Sequence, residues 1–123
     1  MAKEIVKVRP PKELVDKILQ LMEVAKNSGK IRKGTNETTK AIEKGIAQLV
    51  VIAEDVEPQE IVMHLPALCE EKKIPYVHVP SKLELGRSMG IDVGSASGCI
   101  VDAGEGKKTL QEVLKNLEKI VVK

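Results

Sequence analysis

Aromatic side chains are almost missing from this 123-residue chain: Tyr76 stands alone, with no Trp and no Phe. Its core must therefore be built from Val, Ile, Leu, Ala and Met. The shortage also excludes nucleic-acid modules that stack bases on an aromatic platform. Cysteine is scarce as well. Cys69 and Cys99 lie 30 residues apart in apolar surroundings with no second pair. That spacing fits two buried thiols in a reducing compartment better than a disulfide framework or a metal site. No apolar run approaches the length of a membrane span, and the charged N-terminus lacks the apolar stretch of a secretory signal. These absences predict a soluble, intracellular, cytoplasmic protein.

What is present is ordinary for a globular protein: 42% hydrophobic and 31% charged residues, on a length that suits one domain spanning 1–123. The net charge of +2 is too small to announce a polyanion ligand, yet its distribution is uneven. Residues 1–44 carry a net +5 and residues 45–123 a net −3. One positive surface is implied, not a diffusely cationic protein.

The chain reads as helices alternating with short strands. Pro10-Pro11 opens a helix over about 12–27, with Leu14, Ile18, Leu21, Met22 and Ala25 at helical spacing, and Ser28-Gly29 stops it. A short strand at 30–33 follows. Gly34-Thr35 then caps a helix to Lys44, which Gly45 ends. Residues 48–53 form an unbroken apolar run, as in a strand covered on both faces. After the turn Glu54–Pro58, a third helix is predicted from Pro58 to Lys72, bent at Pro66. Further strands fall at 76–80 and 98–102, with a short helix at 82–89 between them and a last helix at 107–120. The fold class is α/β: a three-layer α/β/α sandwich around a central mixed sheet of about four strands.

The second helix holds the most informative residues. At about 100° per residue, with Asn36 at zero, Lys40 lies near 40°, Lys44 near 80° and Glu37 near 100°. Thr38, Ala41, Ile42 and Gly45 fall between about 140° and 240°, a separate apolar stripe. Spacing alone is satisfied by a plain amphipathic helix in which Thr35 caps, Glu37 favours the dipole, and the lysines are solvated. Chemistry offers more. A guanine in a sheared G·A pair leaves N1–H and O6 exposed. A carboxylate can accept from N1–H while an amide and an ammonium donate to O6, which is what Glu37, Asn36 and Lys40 offer. A carboxylate inside a basic segment is otherwise hard to explain.

Several runs together resemble a known family. They are Lys33-Gly34-Thr35-Asn36-Glu37-Thr38-Thr39-Lys40, Leu49 through Pro58, His64 through Tyr76, Ser81-Lys82, and Leu85-Gly86. In this order, over about residues 12–104, they resemble the archaeal kink-turn-binding proteins shared by the large ribosomal subunit and the box C/D and box H/ACA guide ribonucleoproteins. The resemblance implies that Gly34, Asn36, Glu37 and Lys40 meet tandem sheared G·A pairs, beside Thr35. It implies backbone contacts from Lys33 and Lys44. Glu57, Ile61 and Lys82 would wall a pocket for an extruded nucleotide, and the loop Ile91-Asp92-Val93 would close over the RNA and tune which bends are accepted. The implied partners are ribosomal RNA, guide RNAs, ribonuclease P RNA, and a guide-particle scaffold protein with its methyltransferase. A monomer without cofactor or metal is expected. Gly94-Ser95 and Gly98-Cys99 depart from the family's alanine-rich run, and residues 3–9 and 117–123 are extensions without a match.

Catalytic signals are weak. Gly94-Ser95-Ala96-Ser97-Gly98 has the outline of a nucleophile elbow but places Ala at its centre. Gly104-Glu105-Gly106-Lys107-Lys108-Thr109 follows a strand and opens a helix, yet Val101 occupies the first glycine of the phosphate-loop spacing. His64 reads as interfacial and His78 as a strand side chain. Glu54, Asp55 and Glu57 read as an exposed acidic turn before a helix, a divalent-ion site being the weaker alternative. Two rival classes stay open: a nucleotide-binding enzyme using the 104–109 turn, and a structural ribosomal protein with general backbone contacts.

Overall fold

A computed structural model describes residues 11–120, with side chains through Leu117. The extension at 3–9, Pro10 and the end of the C-terminal extension lie outside the described residues. Helix α1 (Lys12–Ser28) begins after Pro11, whose fixed φ of −61° suits the position before a first turn. It buries Leu14, Val15, Ile18, Leu21, Met22 and Ala25. Strand β1 (Lys30–Lys33) leads into α2 (Thr35–Lys44), followed by β2 (Leu49–Ala53), α3 (His64–Lys72), β3 (Tyr76–Val79), α4 (Lys82–Ser88), β4 (Ser97–Asp102) and α5 (Lys107–Ile120).

The four strands form one mixed sheet in the order β1-β4-β2-β3. The β1–β4 and β4–β2 pairs are antiparallel, and β2–β3 is parallel. Helices α1, α4 and α5 pack together on one face, and α2 packs with α3 on the other. This double cover explains why β2 tolerates no polar side chain: all five residues are buried, as the apolar run required. Each fully buried Leu, Ile or Val contributes about 1.5–3 kcal/mol from burial.

Three local expectations need correcting. The third helix does not run from Pro58. Gln59–Ile61 makes a single 3-10 turn, the chain breaks at Val62–Met63, and α3 begins at His64. Pro66 therefore sits in the first turn of α3, where its missing N–H has no intrahelical partner to lose, and bends nothing. Thr35 does not cap α2; the N-cap is Gly34, with no side-chain cap bond. Gly45 does not join the buried stripe of α2 either. It is exposed at φ 73°, closing the helix in the left-handed region.

Cys69 and Cys99 are free and buried. Burial pushes the Cys69 thiol up to about 12 and the Cys99 thiol up to about 11. Burial also raises the Tyr76 hydroxyl, which donates to Glu70 Oε2 at 2.7 Å.

Candidate nucleic-acid interface

At the end of β1 the chain must turn sharply into α2, and Gly34 does this at φ 88°, which an L side chain rarely adopts. Its N–H donates to the Ser97 carbonyl at 3.0 Å, and its carbonyl accepts from Thr38 N–H at 2.9 Å. The Thr35 hydroxyl lies 3.0 Å from the hydroxyl of Ser97, a fully buried residue. The hydroxyl that could have capped the helix is spent on β4 instead. This leaves the first turn of α2 without a side-chain cap, its N–H groups directed outward as a helix N-terminus directs them.

Thr38, Ala41 and Ile42 hold α2 against the sheet, so Asn36, Glu37 and Lys40 stand exposed on the opposite side. Glu37 Oε2 and Lys40 Nζ are 4.0 Å apart, with side chains 54% and 66% exposed. An acceptor and a donor are thus held side by side in solvent, one turn apart. Lys44 follows one turn beyond Lys40, about 6 Å along the helix axis. His64 Nε2 shares a hydrogen with Thr39 Oγ1 at 2.9 Å and ties the start of α3 to α2.

The remaining candidates lie at the same end of the sheet, on loops, on the 3-10 turn Gln59–Ile61 and at the start of α4. Lys82 N–H donates to Asp55 Oδ1 at 2.8 Å, joining the turn after β2 to the start of α4. Ser95 N–H donates to the Lys82 carbonyl at 3.0 Å, and Ile91 N–H to the Gly86 carbonyl at 2.9 Å. Ala53 N–H reaches the Ala96 carbonyl at 2.9 Å. The segments carrying Glu57, Lys82 and Ile91–Val93 are therefore laced together. Ile91 is half-buried, whereas Asp92 and Val93 are exposed, Val93 by 66%. A Cβ on Gly86 would collide with the Val93 carbonyl, so only glycine lets this loop lie so close to α4.

Glu57, Ile61 and Lys82 all stand exposed. A cavity of about 170 Å³ beside them is lined by Val56, Gln59, Val62, Met63 and Pro66, among others, and not by those three. Two positioning residues escape a reading of the sequence. Ser97 stands there only as part of a failed elbow, and Asp55 only as part of an acidic turn. Their partners lie 62 and 27 residues away, so no local pattern could expose them.

Residues 16–119 match the model of the ribosomal protein L7Ae/L30e/S12e/Gadd45 family. The chain is also similar to a solved structure, the Giardia lamblia 15.5kD RNA binding protein. The two are 34% identical and superpose with a TM-score of 0.83, covering 91% of this chain and 93% of the other.

Proposed function

The chain belongs to the ribosomal protein L7Ae/L30e/S12e/Gadd45 family, and from that premise we propose that it is a non-catalytic RNA-binding protein for kink-turn and kink-loop RNA. The observation that carries the reading is the exposed Asn36–Glu37–Lys40 set, held on a helix start that Gly34 and Thr35 anchor to β4. The likeness to the Giardia RNA-binding protein supports the ligand class.

Glu37 accepts from guanine N1–H while Asn36 and Lys40 donate to O6, at two adjacent sheared G·A pairs. The Glu37–Lys40 pair must open to do this. Exposed ion pairs contribute about 0–1 kcal/mol, so opening it costs little against base contacts of about 1–3 kcal/mol each. Lys33 and Lys44 add backbone contacts, and Ile91–Val93 closes over the extruded side of the bend beside Glu57, Ile61 and Lys82. Because these contacts exist only with the bent RNA, binding draws the free RNA into that state. Such a protein serves the large ribosomal subunit and nucleates box C/D, box H/ACA and ribonuclease P particles.

The test is a titration onto a short kink-turn RNA, against the same RNA with both G·A pairs converted to Watson–Crick pairs, at one salt concentration. Tight binding to the first is expected, with a loss of about 2–6 kcal/mol on the second if each pair carries one good base contact. Equal binding to both leaves a backbone binder and removes the assignment of Asn36, Glu37 and Lys40.

A further inference from the structure

Cations gather on the other side of this rim, on the face of the sheet that carries α1 and α4. Lys26, near the end of α1, lays its stem across Gly90. A Cβ built on Gly90 would lie 3.2 Å from Lys26 Cδ and 3.4 Å from its Nζ. Lys33 pairs with Gly98 across β1 and β4, and the open side of Gly98 meets the Met89 side chain. Cross-strand partners project to the same face, so Lys33 emerges beside Met89 and Gly90. Arg87 is exposed in the last turn of α4, one turn before Gly90. Among the described residues, none of these three cations is in an ion pair. Asn36, Glu37 and Lys40 lie on the α2 side of the same rim.

We propose that Lys26, Lys33 and Arg87 form a second, backbone-reading surface that holds the phosphates of an RNA stem leaving the bend on the α1–α4 side. The inference deepens the RNA-binding reading and rests on it. All three are cations that lie outside the Asn36–Glu37–Lys40 set proposed to read bases, so this surface adds affinity without sequence preference. Their placement beside Gly90 puts the loop 91–93 next to it. The RNA is gripped on both faces of the sheet rim, with base readout and the Lys44 backbone contact on one face and phosphate contacts alone on the other. Part of the positive surplus in residues 1–44 is explained by this, since Lys26 and Lys33 both come from that third.

The test compares the protein with the double variant Lys26→Met, Arg87→Gln on two kink-turn RNAs, one with stems of about a full helical turn and one with stems cut short. Met keeps the packing over Gly90 while removing the charge, and circular dichroism checks the fold. Removing one phosphate-binding cation lowers the log–log salt slope by about 0.9, equivalent to about eightfold in affinity at 0.1 M salt. The expected result is a shallower slope and weaker binding on the long-stem RNA, little change on the short one, and unchanged preference for G·A over Watson–Crick pairs. The charge-keeping variant Lys26→Arg, Arg87→Lys should retain the slope. An unchanged slope on the long-stem RNA, in a variant that still prefers G·A pairs, overturns the second surface and leaves the first intact. If the unmodified protein shows no G·A preference, the α2 reading fails separately, and the slopes still decide whether this face holds phosphate.

Discussion

Every residue of β2 is at most 2% exposed, whereas Asn36, Glu37 and Lys40 at the start of α2 stand in solvent. Thr38, Ala41 and Ile42 join the two regions, since the same short helix that presents the polar set is clamped by them onto the sheet. The difference separates the source of stability from the place proposed for recognition. The strand contributes burial and no chemistry. The helix start contributes chemistry and little burial, and its geometry is borrowed from β4 through Gly34 and Thr35.

The widest separation between the regions comes from Ile52→Ala. This change should cost about 2–5 kcal/mol in a urea melt, because a buried side chain is removed and its cavity cannot fully collapse. The fraction that remains folded should bind kink-turn RNA with its original affinity. A cost below about 1 kcal/mol, under the usual range for such a truncation, would show that the strand is not the foundation described above.

Glu37→Ala reverses the pattern. Stability should stay within about 0.5 kcal/mol of the parent, as expected of an exposed site. Preference for G·A pairs, by contrast, should fall by about 1–3 kcal/mol in parallel titrations. Unaltered preference would remove the functional half of the comparison.

Smallest at neutral pH, where it vanishes, is the effect of the buried thiols. The ordinary thiol value is 9.0, while the folded Cys99 and Cys69 resist ionisation to about 11 and about 12. Their contribution is therefore complete below about pH 9 and is lost as pH rises towards those values. Urea midpoints measured between about pH 8 and 11 should fall with pH. The fall should be less steep in the Cys69→Ala, Cys99→Ala variant, where Tyr76 still titrates in the same direction. Identical slopes would mean the thiols are not buried in the working protein.

The sequence displays the core more openly than the rim, for a physical reason. Burial on both faces leaves β2 an unbroken apolar run, and α5 follows its helical period to the same bounds, Lys107–Ile120. Proline misleads at α3 because Pro58 and Pro66 are each compatible with a first turn, and composition does not say which. Thr35 looks like a cap because caps are local, whereas its actual partner, Ser97, arrives from the far strand. The polar set on α2 is legible from angular spacing and chemistry. Lys26 is not, since nothing within α1 distinguishes a lysine that covers Gly90 from one that is merely solvated.

The loop between α4 and β4 is pinned at both ends to the helix it leaves: Ile91 to the Gly86 carbonyl, Ser95 to the Lys82 carbonyl. Between the pins lie only Asp92, Val93 and Gly94, all exposed. Substitution of Asp92 or Val93 need not disturb the fold, because the two fixed points carry the backbone across them, whereas a Cβ on Gly94 would meet Lys82 Cγ at 2.9 Å. Asp92-Val93 is a replaceable cassette. A lineage can exchange these two surface residues and inherit the scaffold unchanged.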